Sequence, residues 1–221
     1  SGSKTQKITL IIYSLTSQNN ILRHVFADDY NVVLIGELGL IMHTTDGGKT
    51  WSSQALADTT KFLTAGLNVV DGKDPNILAM VGDYGTMLHT TDGGVNWYRV
   101  YLTTFDSLRG LSFFDKLNAT AVGRDGIILK TSDGGATWRF LPSRPLIDPL
   151  FGVACPKGDT SLVIAVGYWG AIMRTTNGGA QWYSNEPGDY HTLKAVTFLD
   201  PKTIISVGEN GTIIKSFDAG L

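Results

Sequence analysis

Apolar and polar residues alternate along this chain in short runs, and Gly, Asp and Asn separate one run from the next. Alternation over four to eight residues between turn-forming residues is typical of half-buried β-strands. In one stretch the pattern predicts four strands, Leu108 to Phe114, Ala119 to Gly123, Gly126 to Thr131 and Thr137 to Leu141. The helical spacing of apolar residues is absent, so we expect an all-β protein.

A single segment recurs five times and sets the organisation of the chain. Residues 35–51 define it, residues 81–97, 122–138 and 166–182 repeat it, and residues 207–220 carry a partial copy. The first glycine of each copy stands at 36, 82, 123, 167 and 208, so the period is 41 to 46 residues. A period of this size with four strands per unit is that of a β-propeller blade.

The two ends of the chain predict how the propeller closes. The blades cover approximately residues 20–57, 62–103, 107–142, 149–184 and 192–217, and the last unit lacks its fourth strand. One additional strand, residues 6–13, precedes the first unit and can supply the missing strand, which would remove an exposed edge. We therefore expect one domain, a five-bladed β-propeller closed by its N-terminal strand. The alternative is an open piece of a larger ring.

Composition narrows the classes of partner. Lys plus Arg number 18 and Asp plus Glu number 20, and this balance argues against binding nucleic acid by bulk charge. The longest apolar run near the start, residues 8–13, is too short to cross a bilayer, so no membrane insertion is expected. Cys155 is the only cysteine, which excludes an internal disulfide and a cysteine-rich metal site.

The most regular part of the repeat is the element Thr/Ser-x-Asp-x-Gly-x-x-Trp, an Asp box. Its acidic or amide position can accept backbone N–H bonds in a turn, and its tryptophan can bury a large ring against the surface of the neighbouring blade. A catalytic or Ca²⁺-binding group is needed once and not in every unit, so these residues are predicted to be structural. They are Asp46, Asp92, Asp133, Asn177 and Asp218, with Trp51, Trp97, Trp138 and Trp182.

The same comparison between units argues against a metal site or a cofactor. The two strand histidines, His43 and His89, stand where other units have Lys130, Arg174 and Lys215, so the position takes any long basic side chain. A metal site needs convergent ligands held at fixed geometry.

The joined pattern Val-Gly-x-x-Gly-x-Ile, followed by the basic position and the Asp box, resembles the photosystem II stability and assembly factor family. These are lumenal propellers of cyanobacteria and chloroplasts with bacterial relatives, and their ring has seven blades where this chain has five units. The first strand Leu108-Arg109-Gly110-Leu111-Ser112-Phe113 is also similar to that family. The resemblance implies an extracytoplasmic binding protein without catalytic activity, whose partner is a membrane-protein assembly intermediate.

Positions that differ between units are free to contact a ligand. The pairs inside Gly-x-x-Gly ring one face of the predicted propeller, and the starts of the innermost strands, including Thr64 and Phe151, open on the same face. Together they form a mouth with basic, acidic and aromatic side chains. The candidate partner-binding residues are Arg23, Glu37, Asp83, Tyr84, Arg109, Arg124, Asp125, Tyr168, Trp169, Lys194 and Glu209.

Two functions fit this mouth. Exposed aromatic residues beside arginine are typical of protein-binding hot spots, and we expect a monomeric scaffold that grips a polypeptide. Aromatic rings also stack on sugars, so a lectin-like or glycoside hydrolase propeller is the alternative. Hydrolysis needs two carboxylates about 5–9.5 Å apart, and the loop-tip acids stand on different blades, which argues against catalysis.

Overall fold

The computed structural model describes residues 22–27, 30–54, 56, 65–141, 148–156, 158–159, 161–185 and 190–220, and only the backbone of residues 22–27 and 185. Strands and short turns make up the regular structure of this part of the chain; the helical geometry in it is confined to single 3₁₀ turns. The prediction of an all-β protein is therefore confirmed.

Nineteen strands form five antiparallel sheets in the described residues, each built from strands that follow one another along the chain. Sheet 1 contains β1 (Leu22–Ala27), β2 (Val32–Gly36), β3 (Ile41–Thr44) and β4 (Ser52–Ser53). Sheet 2 contains β5 (Leu67–Asp74), β6 (Ile77–Gly82), β7 (Met87–Thr90) and β8 (Tyr98–Arg99). Sheet 3 contains β9 (Leu108–Phe113), β10 (Ala119–Gly123), β11 (Ile128–Thr131) and β12 (Arg139–Phe140). Sheet 4 contains β13 (Leu150–Ala154), β14 (Val163–Gly167), β15 (Ile172–Thr175) and β16 (Tyr183–Asn185). Sheet 5 contains β17 (Leu193–Phe198), β18 (Ile204–Gly208) and β19 (Ile213–Ser216).

The sheets pack face to face in chain order, as propeller blades do. Their first strands meet in succession, β1 with β5, β5 with β9, β9 with β13 and β13 with β17, whereas the described strands β17 and β1 share no contact of this extent. The strand predicted to complete sheet 5, residues 6–13, lies outside the described residues. Closure into five blades therefore stays a prediction.

The core lies between the sheets, and the central strands of sheets 2 to 4 are buried on both faces. In β10, Ala119 and Ala121 pack against sheet 2, whereas Val122 packs against sheet 4. All three side chains are fully buried. Burying an aliphatic side chain of the size of Val122 contributes roughly 1.5–3 kcal/mol, so these interfaces are the main source of stability. A strand buried on both faces is rich in apolar residues, as β10 is.

Strand boundaries in sheet 3 differ slightly from those predicted. Strand β10 has the predicted bounds, and β9 ends one residue earlier, at Phe113. Strand β11 begins at Ile128 and not at Gly126, because Arg124–Gly126 form a 3₁₀ turn that was not anticipated. The fourth strand is reduced to Arg139–Phe140.

Candidate functional site

A β-bulge at the start of the first strand occurs in all five sheets. In each, one residue of the first strand has no partner on the second strand, as between Leu108 and Gly110, which pair with Gly123 and Val122. A bulge of this kind redirects a side chain and is common beside binding sites. The five bulge residues are Arg23, Asn68, Arg109, Phe151 and Lys194.

The register corrects one assignment made from the sequence. Thr64, taken as the start of an inner strand, precedes β5 and lies outside the described residues, and Asn68 occupies the equivalent bulge. Arg23 occupies the bulge of β1 by its backbone position. No sequence signal marks Asn68, since the bulge is a property of strand pairing.

Contacts join the bulge residues to the acidic residues of neighbouring turns. The Asn68 amide donates to Asp83 Oδ1 at 3.2 Å, and the Arg109 guanidinium lies 3.7 Å from the same oxygen. The Lys194 ammonium lies 2.8 Å from Glu209 Oε1 and 4.3 Å from the centre of the Phe151 ring. The mouth therefore contains cations already held in place by acids and an aromatic ring.

An open cavity of about 470 Å³ lies between the first strands. Three bulge residues, Arg109, Phe151 and Lys194, line it together with Asp71 of β5 and the residues that follow the bulges in β9, β13 and β17. The Asp71 carboxylate accepts a hydrogen bond of 2.8 Å from the Phe113 N–H, which ties this acid to the next sheet. A cavity of this volume can admit a side chain of a ligand.

The Gly-x-x-Gly segments form the turns between second and third strands, on the same face as the bulges. The first glycine of the segment is required by close approach: a Cβ on Gly123 would lie 2.3 Å from the Ser107 carbonyl oxygen. The next N–H, that of Arg124, donates to the same carbonyl at 3.0 Å. The turns of sheets 2 to 5 are thus held against the start of the first strand and present their two variable residues outward.

The second variable residue of every turn has the left-handed backbone conformation. The φ angles lie between 53° and 55° at Leu38, Tyr84, Asp125, Trp169 and Asn210. Asn and Asp tolerate this region, whereas for bulky residues it is uncommon and costs roughly 1–2 kcal/mol. Backbone strain of this kind is enriched at functional sites.

Three aromatic side chains cluster at the turn of sheet 4. The Trp169 ring lies 5.9 Å from that of Tyr168 and 6.2 Å from that of Tyr190, between ring centres. Trp169 and Tyr190 are 61% and 69% exposed. Sequence reasoning missed Tyr190, because it is distant along the chain and comes close only through the loop after β16. Tyr84 is 71% exposed at the equivalent turn of sheet 2.

The remaining turn candidates are Glu37, Arg124 and Asp125. Arg124 and Asp125 are exposed, and Glu37 is half-buried in the turn of sheet 1. The five turns and five bulges lie at the same end of the sheets, which we call the mouth face. Contacts join its residues across sheets 2 and 3 and across sheets 4 and 5.

Electrostatics at this face favour the ionised form of Glu209. The hydrogen bond from the Lys194 ammonium holds the pKa of Glu209 below its ordinary value. Asp83 is paired with Arg109. Among the described residues, every carboxyl group with a resolved shift has a lowered pKa. A general acid for glycoside hydrolysis needs a raised pKa.

The Asp boxes lie at the opposite end of the sheets, between third and fourth strands. In sheet 3 the Thr131 hydroxyl donates to Asp133 Oδ1 at 2.7 Å and accepts from the Gly135 N–H at 3.1 Å. The same two bonds recur in the other boxes, whose acidic or amide residues are Asp46, Asp92, Asn177 and Asp218.

The box tryptophans differ in burial. Trp97 and Trp182 are buried between sheets, Trp138 is half-buried, and Trp51 of sheet 1 is also half-buried. Within the described part of the chain, no cluster of three or more His, Cys, Asp or Glu side chains could hold a metal ion. None of its helical segments has the length and hydropathy to cross a membrane.

Comparison with known proteins supports the resemblance seen in the repeats. Residues 4–110 match the sequence profile described as photosynthesis system II assembly factor YCF48. A structure of YCF48 bound to D1 peptide is 18% identical, with a TM-score of 0.50 over 90% of this chain and 93% of that one. The chain therefore resembles the photosystem II assembly factor family, and its sheets are propeller blades. No curated protein sequence matches the chain significantly.

Two other solved structures superpose on this chain with higher TM-scores. The GH74 enzyme of Niastella koreensis is 18% identical with a TM-score of 0.69, over 90% of this chain but 37% of the enzyme. The RRP9 WD40 repeats are 11% identical with a TM-score of 0.73, over 91% of this chain and 61% of the repeat structure. At these identities the likeness extends to the fold alone.

Proposed function

Starting from the resemblance to the photosystem II assembly factor family, we propose that this chain is a non-catalytic scaffold that grips a partner polypeptide on its mouth face. The observation that supports this most directly is the set of bulges, three of which direct Arg109, Phe151 and Lys194 to one cavity. The bulge residue Asn68 contacts Asp83, the partner of Arg109. YCF48 was solved with a D1 peptide bound, so a related propeller takes a peptide ligand.

The chemistry of the mouth face suits an extended peptide. Arg109, Lys194 and Arg124 offer donors for peptide carbonyls and acidic side chains, and the exposed Tyr168, Trp169 and Tyr84 offer aromatic anchors. Trp, Tyr and Arg are the residues enriched at hot spots of protein interfaces. Because Asp83 and Glu209 already hold two cations in place, the donors are positioned before the ligand arrives, which lowers the entropic cost of binding.

The family resemblance extends the proposal to the partner and the compartment. The partner would be a membrane-protein assembly intermediate that presents a segment outside the cytoplasm, in the periplasm or a thylakoid lumen. The chain would act there as a monomer. Binding to such a segment requires neither a cofactor nor catalysis.

A glycan is the second candidate, favoured by the ring cluster of Tyr168, Trp169 and Tyr190 and by the fold shared with a GH74 enzyme. Stacked rings are a common platform for sugars. The lowered pKa of Glu209 and the pairing of Asp83 argue against hydrolysis at this face.

Substitutions separate the two ligands. A displayed library of random peptides, selected on the wild-type chain, supplies a peptide probe, and xyloglucan oligosaccharides supply a glycan probe. We expect Arg109→Ala and Arg124→Ala to weaken peptide binding by about tenfold or more each, the loss typical of a hot spot. If the ligand is a glycan, Trp169→Ala should cause the largest loss.

Matched controls lie outside the mouth face. Lys202→Ala removes an exposed basic residue beside the Asp-box end of sheet 5, and Tyr183→Ala removes an exposed ring from the outer strand β16. Both should bind like the wild type. If the controls lose as much affinity as the mouth variants, or if the mouth variants lose none, the proposed face is wrong.

A further inference from the structure

A basic side chain on the third strand links one sheet to the next at two neighbouring interfaces. The Lys130 ammonium of sheet 3 donates to the Gly178 carbonyl of sheet 4 at 3.0 Å. The Arg174 guanidinium of sheet 4 donates to the Ala219 carbonyl of sheet 5 at 2.9 Å. Both acceptors stand one residue after the acidic or amide residue of an Asp box, so the same bond joins sheet 3 to sheet 4 and sheet 4 to sheet 5.

The interface between sheets 2 and 3 has His89 at this position. The strand register aligns His89 with Ala79 of β6 and Tyr98 of β8 on one face of sheet 2. That face packs on the Asp-box turn of sheet 3, because a Cβ on Gly135 would lie 3.1 Å from Ala79 Cβ and 3.6 Å from His89 Cβ. Within the part of the chain that the structure describes, the buried Nδ1 atom of His89 has no hydrogen-bond partner. This nitrogen therefore does not reproduce the bond that Lys130 makes.

The charged and titratable groups near His89 come from both sheets. The Asp133 carboxylate, in the Asp-box turn of sheet 3, acts on the imidazole and favours its protonated form. The Tyr98 ring lies 5.7 Å from the imidazole between ring centres. The other charged groups that the described residues place at this interface are Asp71 of β5, two strands away on the same face, and the ion pair of Lys116 with Asp74 at 3.1 Å.

Protonation of His89 is costly in this environment. A neutral imidazole carries one N–H and a protonated one carries two, so the buried Nδ1 atom would become a donor without an acceptor. The surrounding apolar residues also disfavour the charge itself. Burial outweighs the attraction of Asp133 and holds the pKa of His89 below its ordinary value of 6.5. Lys130 and Arg174 avoid this cost because their cations reach a carbonyl.

We propose that the interface between sheets 2 and 3 is acid-sensitive, and that protonation of His89 loosens the contact between these two sheets. The interfaces on either side of sheet 4 do not share this property, because lysine and arginine ordinarily titrate far above neutral pH. The proposal concerns the scaffold, so it holds whichever ligand binds at the mouth face.

Loosening at this interface should reach the wall of the mouth cavity. The Asn68 amide of sheet 2 donates to the Leu108 carbonyl of sheet 3 at 2.8 Å, and the Asp71 carboxylate accepts from the Phe113 N–H at the same distance. Both bonds cross the interface that contains His89. Acid therefore acts on the packing of β5 against β9, the two strands that contribute Asp71 and Arg109 to the cavity.

The sign of the effect follows from the direction of the pKa shift. Because the folded pKa of His89 lies below 6.5, the stability that the neutral ring contributes is complete above pH 6.5 and is lost as the pH falls through the folded pKa. The described carboxyl groups with resolved shifts all have lowered pKa values, so they stay ionised in this range.

Two substitutions isolate the histidine. His89→Gln is uncharged at every pH, and His89→Lys restores the cation found in sheet 3, with the Gly134 carbonyl as the equivalent acceptor. His43, the equivalent residue of sheet 1, stays in place in both variants together with the other histidines. The difference between wild type and variant therefore reports His89 alone.

Thermal unfolding at several pH values measures the effect. Between about pH 8 and about pH 5, we expect the Tm of the wild type to fall by about 2–4 °C more than the Tm of His89→Gln, a shift of the size that one lost interaction causes in a chain of this length. His89→Lys should follow His89→Gln. Parallel declines in all three proteins would overturn the proposal, as would a steeper decline in the variants.

Two measurements on the wild type keep the test independent of how well the variants fold. An NMR titration of the His89 ring should give a pKa below 6.5, and a value at or above 6.5 would overturn the proposal because Asp133 would then stabilise the charged ring. Hydrogen–deuterium exchange, corrected for its intrinsic pH dependence, should accelerate in acid at β7 and β9 and stay unchanged at β14, which lies between sheets 3 and 5. Equal acceleration at all three strands would also contradict an effect of this interface.

Discussion

Removing the acid of one Asp box should cost more stability than removing the amide of another. The Asp133 carboxylate accepts hydrogen bonds from the Thr131 hydroxyl at 2.7 Å, from the Thr137 N–H at 2.9 Å and from the Thr137 hydroxyl. Asn177 Oδ1 accepts two, both at 2.9 Å. Both side chains are exposed at equivalent positions of neighbouring sheets, so each is the control for the other.

The magnitude follows from the number and charge of these bonds. A hydrogen bond contributes about 0.5–1.5 kcal/mol net, and more when one partner is charged. We therefore expect Asp133→Ala to lower the free energy of unfolding by about 2–3 kcal/mol and Asn177→Ala by about 1–2 kcal/mol, the solvent exposure of both groups favouring the lower figures.

Urea unfolding of the full chain, followed by tryptophan fluorescence, measures both losses at an unchanged denaturant slope. A loss for Asn177→Ala equal to or larger than that for Asp133→Ala would refute the reasoning, because the carboxylate would then add nothing to the turn. A loss under about 0.5 kcal/mol for Asp133→Ala would refute it as well, since surface substitutions without a structural role fall in that range.

Three further predictions concern the pH dependence of stability, the close approach of Gly123 to Ser107 and the backbone strain at Leu38. Burial would raise the pKa of Asp133, but hydrogen bonds outweigh this effect and hold the pKa below 3.8. The contribution of the carboxylate to stability should therefore be complete above pH 3.8 and disappear as the pH falls through the folded pKa. Asp133→Asn should reduce this decline in acid unfolding curves. Gly123→Ala should lower the free energy of unfolding by about 3 kcal/mol or more, because the added Cβ would lie 2.3 Å from the Ser107 carbonyl oxygen. The urea midpoint should fall accordingly, and an unchanged midpoint would be inconsistent with this turn. Leu38→Gly should stabilise the chain by about 1 kcal/mol in the same assay, because glycine adopts a φ of 54° without strain. Asn210→Gly at the same φ should change the stability little, since asparagine tolerates this conformation. Equal effects of the two substitutions would argue against backbone strain at Leu38.

The sequence predicts the sheets because the repeat contains all the local signals that a blade needs. The alternation of apolar and polar residues predicts the strands, and Asp133 and its equivalents predict the turns. Strand β10 is therefore predicted with its observed bounds. The resemblance to the assembly factor family is confirmed by the match over residues 4–110. The 3₁₀ turn at Arg124–Gly126 was not predicted, because its conformation depends on how the turn meets the first strand.

The candidate site is predicted less completely than the fold. The variable pairs of Gly-x-x-Gly identify Tyr168 and Trp169 from comparison of the units alone. The sequence does not predict the left-handed conformation of Trp169, because tryptophan is not a residue type that favours a positive φ. Asn68 and Tyr190 enter the site only through strand register and loop packing, which are long-range properties of the chain.

Hydrogen–deuterium exchange of the chain, with and without a peptide selected on it, tests the central claim most directly. If the mouth face binds polypeptides, protection should concentrate at residues 37–39, 83–85, 124–126, 168–170 and 209–211 and at the first-strand bulges. The Asp-box turns at the opposite end should exchange as before. Protection at those turns, with none at the mouth, would contradict the account.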